Sequence, residues 1–203
     1  MSLVGFKAQN HEQQVSSRGA LDAVDDRGTD PAVFASLEAR FGPYTLDAAA
    51  APHNAKCARY FTAADDGLAQ SWAGEGVWCN PPFSECGAWV AKAWTEAHHA
   101  RGITMLLPAS RTEQPWWQQM VEPFRDRPDS ALRVAFLPGR LRFVYPGEDG
   151  IRPNGRPPFG CCVLIWSPDH PAFWPDLTAL NLEQYATRAI PDAQPDLLEE
   201  PAS

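Results

Sequence analysis

Short apolar runs alternate with polar segments punctuated by Gly and Pro along this chain. Residues 1–26, rich in Gln, Asn, Ser and Asp, have little periodicity and read as a flexible lead. Thr29-Asp30-Pro31 is a helix start: an oxygen to cap, then proline at the first helical position. Val33, Phe34, Leu37 and Phe41 then share one helical face, and Gly42-Pro43 stops the helix. Tyr44-Thr45-Leu46 reads as a short strand ending at Asp47-Ala48-Ala49-Ala50. The turn Asp66-Gly67-Leu68 leads, through a short helix, to the apolar run Gly76-Val77-Trp78-Cys79, a short buried strand.

Residues 86–101 read as an amphipathic helix, with Trp89, Val90, Ala93 and Trp94 on one side and Lys92 and Glu96 on the other. Residues 103–108 are a buried strand, and Pro115-Trp116-Trp117 opens another helix whose tryptophans suit packing. Residues 133–137 form the next strand. Arg140-Leu141-Arg142-Phe143 alternates, so as a strand it would place both arginines on one face. The Gly- and Pro-rich loop 147–158, which carries Arg152 and Arg156, is long for a hairpin connection and suits a functional loop. Phe159 to Trp166 is a final core strand, and 181–203 is an acidic, proline-containing tail. Helices alternating with strands predict one α/β domain over residues 27–180.

With 203 residues, 44% of them hydrophobic, the chain is long enough to bury the core of one such domain. No stretch approaches the roughly 20 apolar residues of a membrane span. The N-terminus lacks a basic region followed by an apolar run, so a cytoplasmic location is expected. Five scattered cysteines suit reduced thiols better than a disulfide framework, and neither they nor the five histidines show metal-ligand spacing. The net charge of −8 is uneven: residues 101–156 hold nine arginines against six acids, and the rest carries −11. That middle suits a phosphate-facing surface, and equally a solvated charged face.

The chemistry concentrates at Asn80-Pro81-Pro82-Phe83. The prolines fix φ and cannot donate, and each pushes the residue before it toward extended geometry. Asn80 is therefore held at a strand tip in a stiff turn, with an aromatic ring three residues on. Such a turn aims one amide and one ring at a flat, amino-bearing ligand; the same residues would also serve a plain Pro-Pro turn with Asn80 as a cap. Asp47 followed by small residues lies where a doubly wound sheet binds ligands, beyond the carboxyl end of a strand.

Asn80-Pro81-Pro82-Phe83 resembles the Asn/Asp-Pro-Pro-aromatic motif of methyltransferases that use S-adenosylmethionine (SAM) on planar amino groups. Together with Thr45 to Ala50, Asn54-Ala55-Lys56-Cys57, Tyr60-Phe61-Thr62, Asp66-Gly67-Leu68 and Trp72, it resembles the phage and prophage DNA adenine methyltransferase (Dam) family over about residues 27–166. The resemblance implies a single Rossmann-like SAM-dependent methyltransferase domain, with a mostly parallel twisted sheet and an antiparallel C-terminal hairpin. It implies methyl transfer to adenine in DNA, in a bacterial host or prophage-bearing cell, with no metal. By resemblance, Asn80, Pro81, Pro82 and Phe83 are catalytic, and Thr29, Asp47, Ala48, Ala49 and Asp66 hold the cofactor. Arg140, Arg142, Arg152 and Arg156 are candidates for DNA phosphates. The chain carries alanines where SAM methyltransferases in general have glycines, and it departs from the family in having no tryptophan two residues before Thr29-Asp30-Pro31, an element whose spacing Asp30 also loosens. Two alternatives remain at this point: another planar amino group as substrate (protein glutamine, an RNA base or cytosine), or a catalytically silent binding module of the same fold.

Overall fold

The computed structural model describes residues 28–125, 127–144 and 159–167. The lead to residue 26, the tail from 181, and Arg152 and Arg156 lie outside them. Strand β1 (Gly28–Thr29) precedes helix α1 (Pro31–Phe41), whose cap is Asp30: its carboxylate accepts from Ala32 N at 2.7 Å, and Pro31 occupies the first turn. Strands β2 (Leu46–Asp47), β3 (Arg59–Tyr60) and β4 (Gly76–Cys79) follow, then helix α2 (Cys86–Glu96) and strand β5 (Gly102–Pro108). A 3-10 turn (Ala109–Arg111), helix α3 (Pro115–Met120) and strands β6 (Leu132–Phe136), β7 (Phe143–Val144) and β8 (Cys161–Trp166) complete the order. The short helix expected before β4 is a run of turns instead.

Six strands form one sheet in the order β3-β2-β4-β5-β8-β6. The first four are mutually parallel, and β8 is antiparallel to both β5 and β6. The sheet is thus mostly parallel, and its antiparallel part is β8 inserted between β5 and β6. The carboxyl ends of β2, β4, β5 and β6 therefore share one edge.

Residues paired across strands share a face, so Val77, Ile103, Trp166 and Leu132 point one way, and Trp78, Thr104 and Ile165 the other. Phe34 of α1 meets Trp78 edge-on at 5.3 Å, whereas Trp94 of α2 meets Trp166 edge-on at 5.8 Å. The two helices consequently cover opposite faces, which is why β4, β5 and β8 are buried almost throughout. Trp89, Val90, Ala93 and Trp94 are all buried, as the helical period predicts. Trp117 is fully buried, in keeping with packing. Gly76 is needed for close approach: a Cβ there would lie 2.1 Å from the carbonyl oxygen of Pro43.

Arg140 to Phe143 do not form the expected strand. Only Phe143 and Val144 pair, antiparallel to Thr29 and Gly28, and Arg140 and Arg142 are exposed in the loop before them. Alternation supplies a period but no partner; β1 lies more than a hundred residues upstream and pairs only with Phe143 and Val144. Among the described residues no helix is long and apolar enough to cross a membrane.

Candidate active site

A cavity of about 660 Å³ opens at the carboxyl edge of the sheet. That size suits a drug-sized or nucleoside-sized ligand. Its walls come from the ends of β1, β2 and β4, from the loops after β2 and β3, and from α2. Thr29, Asp47, Ala48, Ala49, Asp66, Asn80 and Pro82 all lie on it. Residues more than fifty positions apart in sequence are brought together, in part because β2 and β4 are neighbours in register, Asp47 beside Trp78.

Asp47 is 2% exposed. Its Oδ2 accepts from Lys56 N at 2.9 Å and its Oδ1 from Ala49 N at 3.4 Å. Burial pushes its carboxyl up to about 6, against the pull of those backbone N–H groups. Lys56 reaches it because residues 51–55 form a tight turn: Ala55 N donates to Ala51 O at 3.0 Å, and Asn54 Oδ1 accepts from Ala51 N at 2.7 Å. Burial lowers the Lys56 ammonium's pKa, while Asp47 and Asp30 oppose that fall.

Asp66 is exposed and sits at φ 52°, a left-handed conformation that Asp adopts more readily than most residues. The next residue, Gly67, presses on the end of β2. A Cβ there would lie 2.3 Å from Ala48 O and 3.0 Å from the Trp89 ring, so this wall closes only with glycine.

Thr29 Oγ1 and Trp89 Nε1 are buried, on residues of the cavity wall, with no hydrogen-bond partner among the described residues. Such groups are costly unless a ligand answers them. An acid-lined cavity with these polar groups fits SAM, whose sulfonium and ammonium are cations.

Pro81 and Phe83 are buried and do not line the cavity. Phe83 stands edge-on to Phe143 at 5.9 Å and to Phe159 at 6.0 Å, beside the β1–β7 ribbon. Arg140 and Arg142 are exposed and do not line the cavity either. Lys56, Trp89 and Glu85 are wall residues that sequence reasoning gave no functional role. For Trp89 the helical period pointed to the core, and nothing in the pattern marked its indole N–H. Burial pushes the Cys57 thiol up to about 12 and raises Cys79 further above its usual range, so neither is a thiolate near neutrality. Among the described residues no group of three or more His, Cys, Asp or Glu could hold a metal ion.

A mostly parallel sheet with one reversed strand inserted near its end, with Asp47 closing β2 and Asn80 and Pro82 following β4 on one cavity, is a Rossmann-like α/β fold with its candidate site at the carboxyl edge. The family model described as DNA N-6-adenine-methyltransferase (Dam) matches residues 18–178, and the chain belongs to that family. A DNA N-6-adenine-methyltransferase of Escherichia phage T1 is 40% identical over 93 residues, covering 45% of this chain and 39% of the phage protein. A putative methyltransferase of Escherichia coli, YfdM, is 37% identical over 57 residues, 25% of this chain and 63% of that protein. The matches thus span less than two thirds of either relative's length. The crystal structure of a putative RNA methyltransferase from Pyrococcus horikoshii is similar over 72% of this chain and 77% of its own, at 14% identity and a TM-score of 0.38.

Proposed function

We propose that this chain transfers a methyl group from SAM to the exocyclic amino group of adenine in DNA. The observation that carries the reading is Asn80 on the wall of the same cavity as Asp47, at the adjoining strand end. When bound, SAM supplies a methyl group on a positively charged sulfur, which keeps the bonding pair as it leaves. The amino nitrogen of adenine is a poor nucleophile because its lone pair is delocalised into the ring. The Asn80 amide oxygen and the Pro81 carbonyl oxygen would accept its two N–H bonds. That localises the lone pair and stabilises the positive charge developing on nitrogen. The two prolines fix those acceptors before the substrate arrives, so little reorganisation is needed. The nitrogen then releases one proton.

Phe83, packed edge-on against Phe143 and Phe159 behind the cavity wall, is assigned by its place in the motif to stack on the base. A base inside a duplex cannot reach the cavity, so the target must be flipped out, at a cost of a few kcal/mol. Arg140 and Arg142, exposed on the loop that follows β6, are assigned to phosphates together with Arg152 and Arg156. On the cofactor side, Asp47 would hold the ammonium, Thr29 the methionine end and Asp66 the adenine end, with Ala48 and Ala49 leaving room.

The test is transfer of labelled methyl from SAM to unmethylated DNA, with nucleoside analysis, for the wild type and Asn80→Ala. Methyladenine from the wild type alone, with SAM bound by both, supports the reading; a loss of about 10²–10³-fold is expected. SAM binding with DNA left untouched would move the substrate to another planar amino group. No SAM binding would sink the reading.

A further inference from the structure

Lys56 is the only basic side chain among the described residues that line the cavity; Asp47, Asp66 and Glu85 are its charged companions there. Such a surplus of negative charge suits a sulfonium and an ammonium. It repels the carboxylate that an α-amino acid carries on the same carbon as its ammonium. An acid and a base side by side match that end, one for each of its charges. Asp47 and Lys56 meet this condition, since the Lys56 backbone N–H is fixed to Asp47 Oδ2 at 2.9 Å. The turn over residues 51–55 sets that position, so the lysine side chain springs from a rigid anchor next to the acid.

The side chain is also uncommitted. Lys56 is partly buried, yet no hydrogen bond or ion pair to its ammonium forms among the described residues. A partly desolvated ammonium without a close partner is unfavourable, and an arriving anion relieves that cost.

We propose that Lys56 holds the carboxylate of the cofactor's amino-acid end and so selects SAM over analogues that lack it. This inference rests on the cofactor reading above. Asp47 takes the ammonium and Lys56 the carboxylate, which orients the methionine moiety and leaves the rest of the cofactor to run along the cavity toward Asp66.

The experiment is calorimetric binding of SAM and of decarboxylated SAM, which keeps the ammonium and sulfonium but lacks the carboxylate. The proteins are the full chain, Lys56→Met and Lys56→Arg. The wild type is expected to bind SAM about tenfold or more tighter than the decarboxylated compound, the scale of one charge-assisted hydrogen bond. In Lys56→Met that preference should collapse through weaker SAM binding, with affinity for the decarboxylated compound and for DNA unchanged. Lys56→Arg should restore most of it, and would show that a loss in Lys56→Met is not misfolding. A preference that survives in Lys56→Met, or a wild type that binds both compounds equally, overturns the assignment alone. Loss of DNA affinity with the preference intact would place a phosphate at Lys56 and overturn it too. Failure of the wild type to bind either compound would overturn the cofactor reading and this assignment with it.

Discussion

The two edges of one sheet are built in opposite ways. At the amino edge, Thr45 Oγ1 accepts from Gly76 N at 3.1 Å and from Arg101 Nη2 at 3.0 Å while donating to Glu75. Glu75 also pairs with Arg59, and its backbone oxygen accepts from Arg101 N at 2.8 Å. The Thr45 hydroxyl, helped by Arg59, holds the Glu75 carboxyl below its usual range. Two residues further along the chain, the carboxyl edge holds Asp47 with its carboxyl pushed up to about 6, a Lys56 ammonium with no hydrogen bond or ion pair among the described residues, and two buried polar atoms with no partner among them. Local stability is concentrated where the groups answer one another. Binding capacity lies where they are left for a ligand.

The largest effect that would break this contrast concerns Asp47. A buried acid with a raised folded pKa stabilises the fold while protonated, and that contribution is lost as pH rises through about 6. Over the whole window the loss is about 3 kcal/mol. Thermal melts from pH 4 to pH 7 should show Asp47→Asn gaining several degrees on the wild type as pH rises. Cofactor binding, which favours the ionised carboxylate, should tighten over the same range. A constant gap between the two proteins would mean that the carboxyl edge carries no such strain.

A smaller effect belongs to the amino edge. Thr45→Val removes one oxygen shared by three partners, and urea unfolding should report a loss of about 1–3 kcal/mol. SAM affinity per folded molecule should stay unchanged; a parallel loss of binding would show that the two edges are not separable. The smallest effect is Arg59→Gln. Its side chain is 54% exposed, so the change should cost under about 1 kcal/mol and fade further at high salt.

Much of this arrangement was legible in local pattern. Asp30-Pro31 marked the start of α1 because capping is a contact between near neighbours. Asn80 was placed at a strand tip because two prolines permit little else. The failures were of another kind. Whether Arg140 and Arg142 enter a strand depends on which residues of β1 reach them, and Gly28–Thr29 pairs with Val144 and Phe143 and ends before Arg142. The Lys56 side chain's place on the cavity wall follows from a turn closed by Asn54 and Ala51, a geometry that residue spacing alone does not announce. Trp89 serves the core and the wall together, and periodicity could report only the first.

The inserted strand β8 bears on how the molecule is made. Every described residue that lines the cavity lies between Gly28 and Trp89, so the ribosome delivers that whole set first. The strand that seals β5 to β6, Cys161 to Trp166, is the last of the described strands to be made. Until it emerges, Met105-Leu106-Leu107 offers an apolar, unpaired edge to any neighbouring nascent chain. Translation that stalls between residues 109 and 160 therefore leaves a species with its binding half synthesised and its sheet open, exposed to edge-to-edge association. Synonymous codons across that interval would tune the yield of this protein without changing one of its residues.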